Sequence, residues 1–91
     1  SLTQAYIFPN PYRADTHGPT LMIAGLPNRS TIEIFSSSGS PVRTLEERDG
    51  DGGVAWDLTD ESGSPVASGV YIVRIETESD ESVILKSAVI R

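Results

Sequence analysis

The sequence predicts an all-β fold, two antiparallel sheets built from seven strands, and three observations carry that prediction. Apolar and polar residues alternate with period two through most of the 91 residues. Eight glycines and six prolines punctuate the chain at short intervals, the spacing of turns between short strands. No window of about ten residues repeats apolar side chains at the three-and-four spacing of a helix.

The first strand fits Ala5 to Phe8 and stops at Pro9-Asn10-Pro11, because proline lacks the N–H that a ladder needs. A second fits Thr20 to Ala24 and closes at Gly25-Leu26-Pro27-Asn28. Thr31 to Ser36 follows, with Ile32 and Ile34 on one face and Glu33 on the other, the signature of a sheet covered on one side. Ser37 to Pro41 forms a hairpin whose Gly39 is free to take positive φ, and Val42 to Glu47 returns. Asp49-Gly50-Asp51-Gly52-Gly53 is too glycine-rich to hold a ladder. Val54 to Leu58 then places Val54, Trp56 and Leu58 on one face and Ala55 and Asp57 on the other. After a turn region from Thr59 to Gly69, Val70 to Thr77 and Ser82 to Ile90 pair across a polar hairpin. Gly39-Ser40-Pro41-Val42 recurs as Gly63-Ser64-Pro65-Val66, which predicts two similar corners and not a duplicated domain. Seven short strands so spaced fit an immunoglobulin-like or fibronectin-III-like sandwich.

One domain is expected at this length, covering residues 5–91, with residues 1–4 as linker. Thirteen acidic against seven basic side chains give a net charge of -6. That charge repels phosphate backbones and anionic lipid, so neither nucleic acid nor a charged membrane surface is an expected partner. No apolar run is long enough to span a bilayer. With no cysteine, a disulfide framework, a thiolate metal site and a cysteine nucleophile are all excluded. The chain begins at Ser1 and shows no basic segment followed by an apolar one, so it reads as a processed piece of a longer protein.

Catalytic chemistry finds little footing. The carboxylates at Asp49 and Asp51, at Asp57, Asp60 and Glu61, and at Glu78, Asp80 and Glu81 read as solvated turns. A pair of glycosidase carboxyls needs a cleft, which a sandwich of this size hardly offers. Calcium is the one cation with a foothold, at Asp49 and Asp51, yet that loop lacks the third oxygen position and the terminal glutamate of an EF-hand. His17, the single histidine, reads as exposed, and Ser36, Ser37 and Ser38 as turn residues without a strand-turn-helix elbow. Sugar stacking would use aromatic rings among Tyr6, Phe8, Tyr12, Phe35, Trp56 and Tyr71. Trp56 and Tyr71 lie in register with aliphatic neighbours and are expected in the core, which leaves Tyr12 and Phe35 as the rings to stay exposed. The chain is therefore read as non-enzymatic, with no cofactor.

Laid out as strands, the residues resemble the immunoglobulin-like type A sorting domain at the C-terminus of proteins exported by the type IX (Por) secretion system. That domain is itself similar to the FlgD-like domain of the flagellar hook-capping protein. The resemblance rests on Phe8-Pro9-Asn10-Pro11-Tyr12, on Ile32-Glu33-Ile34-Phe35 through Gly39 to Val42-Arg43-Thr44-Leu45, on Trp56-Asp57, on Gly63 to Gly69, on Gly69-Val70-Tyr71 and on Lys86-Ser87-Ala88-Val89-Ile90-Arg91. It spans Ala5 to Arg91 in order and departs at Leu58, where the family commonly has glycine. It implies a C-terminal sorting or anchoring domain, recognised by secretion-system proteins, that carries an upstream cargo domain through the periplasm and outer membrane of a Gram-negative bacterium to the surface or exterior. The recognised element would be the last strand, Leu85, Lys86, Ser87, Ala88, Val89, Ile90 and Arg91, with Lys86 and Arg91 as exposed basic groups on an acidic body. A spacer or assembly module like the hook-cap domain, or a carbohydrate-binding accessory module, are the alternatives.

Overall fold

The computed structural model describes residues 4–27, 29–48, 50 and 52–91. The strands are β1 (Tyr6–Phe8), β2 (Tyr12–Arg13), β3 (Leu21–Ala24), β4 (Ser30–Ser36), β5 (Pro41–Glu47), β6 (Gly53–Trp56), β7 (Gly69–Thr77) and β8 (Ser82–Ile90). They form a three-stranded sheet, β1-β3-β6, and a five-stranded one, β2-β8-β7-β4-β5. The alternation read from the sequence decides which side chains meet between them. Ile7, Leu21, Ile23 and Trp56 from the small sheet pack with Ile32, Ile34, Tyr71, Val73, Ile75 and Val89 from the large one, in one buried cluster. Trp56 and Tyr71 cross the interlayer space edge to face, with ring centroids 5.7 Å apart.

The all-β prediction holds, but the expected count and pairing do not. The described residues form eight strands, and β2 runs parallel to β8, with Tyr12 opposite Val89 and Arg13 opposite Ile90. A two-residue strand has no period to read, which is why Tyr12–Arg13 was absent from the predicted set. The other boundaries agree to within two residues, the largest gap being the strand expected to reach Leu58, which ends at Trp56. Leu58 takes φ 64, outside strand geometry, while its side chain is 1% exposed.

Leu58 thus holds a left-handed conformation, the region glycine enters most easily. Two effects oppose each other here. A non-glycine residue in this region costs about 1–2 kcal/mol, whereas emptying a buried leucine site costs about 2–5 kcal/mol. Packing wins, and Leu58→Gly is expected to lower the urea midpoint. An unchanged or raised midpoint would show that backbone strain dominates.

The Gly39 and Gly63 corners prove to be one turn used three times. In Ser36–Ser40, the N–H of Ser36 donates to Ser40 O, that of Gly39 to Ser36 O, and that of Ser40 to Ser36 Oγ. Asp60–Ser64 repeats the pattern, with Ser64 N donating to Asp60 Oδ1. Thr77–Glu81 repeats it again, with Glu81 N donating to Thr77 Oγ1. The fourth residue has positive φ each time: 90° at Gly39, 85° at Gly63 and 67° at Asp80. This is the three-residue hairpin loop that ends in a left-handed residue.

Candidate functional site

The last strand sits one place in from the end of the large sheet, and its alternation splits the predicted recognition element into two faces. Leu85, Ser87 and Val89 point inward: Leu85 is half-buried, Val89 is 2% exposed, and Ser87 is fully buried with a hydroxyl that finds no partner among the described residues. Lys86, Ala88 and Ile90 point outward, and Lys86 and Ile90 are exposed. The recognition surface this strand can offer is therefore its even-numbered residues. Lys86 is the basic group on that surface, and its ammonium makes no hydrogen bond or ion pair among the described residues.

Arg91 is exposed, as expected, and is also bonded to the body of the domain. Its backbone N–H donates to Ser68 Oγ at 2.9 Å, and its guanidinium to the carbonyls of Val66 at 2.5 Å and Leu58 at 3.2 Å. It ties the chain end to the turn region before β7. The reason is local: Leu58 and Val66 are buried through their side chains, and the arginine fork takes the Val66 carbonyl and adds a second donor to the Leu58 carbonyl, which already accepts the Val66 N–H.

The Pro9-Asn10-Pro11 corner covers the outer edge of β8. The Asn10 carboxamide donates from Nδ2 to Lys86 O at 2.9 Å and accepts from Ala88 N–H at 3.0 Å, so a side-chain amide stands where a neighbouring strand's peptide would. Ala14 N–H then donates to Ile90 O. The prolines flanking Asn10 bring no N–H of their own, and the ladder resumes at β2. Sequence reasoning gave the prolines their role and missed the asparagine's. The signal available was a carboxamide between two residues that cannot donate.

The remaining candidates disperse. Asp57 and Asp60 are held below the usual carboxylate range, Asp57 chiefly by the Thr59 hydroxyl and Asp60 chiefly by the Ser62 hydroxyl and then the Ser64 N–H. Both are turn-forming acceptors. Arg43 anchors that turn region to β5, donating from one guanidinium nitrogen to Asp57 Oδ1, Thr59 Oγ1 and the carbonyls of Thr59 and Asp60. An open groove of about 330 Å³ lies beside it, lined by Pro41 to Thr44 and Asp60 to Ser62. Arg74 on β7 is held more firmly protonated by Glu76, then by Glu33, at 3.0 and 3.1 Å. No group of three or more metal-ligating side chains occurs among the described residues. The proposed calcium ligands Asp49 and Asp51 lie outside them.

The sugar-stacking expectation needs correction at Tyr12. It is 4% exposed, with its hydroxyl donating to Gly18 O at 2.7 Å, because β2 turns the ring inward against the core. Phe35 is half-buried on the outer face of β4. The exposed rings are Tyr6 and Phe8, two residues apart on β1 and stacked on each other at 5.6 Å. His17 is half-buried, not exposed: its Nδ1 accepts from Arg13 N–H at 2.9 Å, which makes it part of the turn after β2. Ser36 and Ser38 share a hydrogen bond inside the first of the three turns.

No protein-family model and no curated protein matches the sequence. A solved structure does match it almost end to end. PorZ of Porphyromonas gingivalis, an essential bacterial surface component of the type-IX secretion system, superposes with a TM-score of 0.85 at 32% identity over 99% of this chain. The aligned part is 12% of the PorZ chain, so the likeness is to one segment of a much larger protein. No described helix is long and apolar enough to cross a membrane.

Proposed function

We propose that this chain is a non-catalytic C-terminal sorting or anchoring domain of a protein handled by the type IX secretion system, with the outward face of β8 around Lys86 as the recognised surface. The observation that carries this reading is the near-complete superposition on a segment of PorZ at 32% identity. It supports a role in that system and, with it, a location at the cell surface or exterior.

An immunoglobulin-like type is supported by the strand order β1-β3-β6 against β2-β8-β7-β4-β5. It is supported also by Tyr71, near the start of β7, whose hydroxyl donates back to Ala67 O at 2.6 Å as in a tyrosine corner. Such a body positions without reacting: Trp56, Tyr71, the turns and the Asn10 clasp all hold backbone and core, and they leave the outward side chains of β8 free to be read.

The test is to fuse residues 1–91 to a passenger in a host with this secretion system and compare it with Lys86→Glu. The Lys86 side chain is exposed and makes no bond among the described residues, so the variant is expected to keep its stability to within about 0.5 kcal/mol. Export is expected to fall at least ten-fold. Unchanged export of a folded Lys86→Glu fusion would remove Lys86 from the recognised surface, and a wild-type fusion that stays inside would sink the sorting reading.

A further inference from the structure

The large sheet covers part of each of its two edges. On β5, Glu61 covers two of the outer groups: its N–H donates to Val42 O at 3.1 Å, and its Oε2 accepts from Thr44 N–H at 2.8 Å. On β8, Asn10 takes Lys86 O and Ala88 N–H, while β2 and Ala14 take the end of the strand. These contacts also fix the parity of β8, in which the even-numbered residues turn their N–H and C=O away from β7. By that parity Ser82 and Ile84 face outward as well, and among the described residues no backbone or side-chain group meets them. The edge is uncovered from Ser82 to the Lys86 N–H, the Lys86 carbonyl being taken by Asn10, and the Ile84 side chain beside it is 62% exposed. Natural sheets usually blunt such an edge with a charge, a proline or a bulge. Here an isoleucine stands at its centre.

The geometry points to a second copy of this chain as the occupant, paired antiparallel along β8 about a two-fold axis through Ile84. The charges select this arrangement. Lys86 lies two residues to one side of Ile84, while the acidic turn Glu78, Asp80 and Glu81 lies just beyond Ser82 on the other. Antiparallel pairing sets Lys86 opposite the partner subunit's Ser82, at the end where the partner subunit's acidic turn joins its β8. The two-fold repeats the contact with the roles exchanged. A parallel arrangement would instead set Lys86 beside the partner subunit's Lys86. One short stretch thus carries both halves of a complementary pattern, which is the requirement for an isologous contact. Ile84 and the partner subunit's Ile84 would form a hydrogen-bonded pair, exchanging the N–H and C=O groups that are open in the single chain. The area is small, so the association belongs to the weak, concentration-dependent class. This inference stands apart from the sorting reading, because it concerns the edge of β8 and a partner already present in any solution of the protein.

The test exploits the absence of cysteine. In a hydrogen-bonded pair the two Ile84 Cα atoms stand about 5.5 Å apart, inside disulfide reach. The two Lys86 Cα atoms would be about 14 Å apart, four residues out of register. Under mild oxidation Ile84→Cys is expected to form covalent dimer at least ten-fold faster than Lys86→Cys. In sedimentation the unsubstituted chain is expected to show a concentration-dependent dimer that Ile84→Lys weakens at least ten-fold, since two like charges would then meet on the axis. The proposal is overturned if both cysteine variants cross-link equally, or if the chain sediments as a monomer up to about 1 mM, the weak end of specific association. Export of a passenger reads neither quantity, so the two hypotheses fail separately.

Discussion

Replacing Trp56 by Ala is expected to remove about 3–5 kcal/mol of stability, a large share of what a domain of this size has. Trp56 is completely buried at the end of β6, where it fills the gap between the two sheets and meets Tyr71 edge to face. Its indole N–H donates to Thr59 O at 2.9 Å, so the ring satisfies its polar atom while burying the rest. Truncation removes the largest buried side chain and leaves a void between sheets that cannot collapse without breaking register. Such changes cost about 3–5 kcal/mol. In a domain of this size each kcal/mol lowers the midpoint by about 4–8 °C, and total stability is only about 5–15 kcal/mol. The expected result is a thermal midpoint lower by at least about 12 °C, by circular dichroism or calorimetry, on the same figures. Trp56→Phe, which keeps most of the volume, is expected to lose less than half as much. A Trp56→Ala midpoint within about 4 °C of the unsubstituted protein would mean that the interlayer core is not the main source of stability.

The legibility of this fold follows the same physics. Alternation is a repeated signal, so β4, β7 and β8 were readable to within one residue, and the burial of Ile32, Ile34, Tyr71, Val73 and Ile75 followed from it. Features carried by a single residue were less readable. The first two copies of the shared turn were visible because glycine marks the left-handed position. The third, Thr77–Glu81, was not recognised as a copy, because Asp80 fills that position and no proline follows. Leu58 hid a left-handed residue behind a leucine for the same reason, and its aliphatic side chain extended the apparent strand past Trp56. The clasp of Asn10 on β8 joins residues 76 and 78 positions apart, and no local pattern encodes a contact at that separation. The bonds of exposed Arg91 were not readable, because its acceptors are carbonyls of Leu58 and Val66, and carbonyls leave no trace in a residue string.

That division bears on the candidate site, because a residue can look like a recognition element while serving as structure. Deleting Leu85 to Arg91 is expected to abolish export, and the cause would be loss of the fold. The deletion takes Val89 and half-buried Leu85 out of the core, at about 1.5–3 kcal/mol for a fully buried side chain of that size. It strips β7 of its partner from Gly69 to Val73, and each ladder hydrogen bond contributes a net 0.5–1.5 kcal/mol or so. It also leaves Asn10 without Lys86 O and Ala88 N–H, deprives β2 of its neighbour, and frees the carbonyls that Arg91 holds. These losses together match or exceed the whole stability of a small domain. The truncated chain is expected to show no cooperative thermal transition and to be degraded rapidly by protease. If it instead unfolds cooperatively with native-like near-ultraviolet dichroism and still fails to be exported, the seven residues act by being read directly, inward-facing ones included. The contrast with Lys86→Glu separates the cases: a folded, export-deficient point variant assigns the outward face of β8 a role in recognition, and a folded, exported one leaves this strand a part of the core.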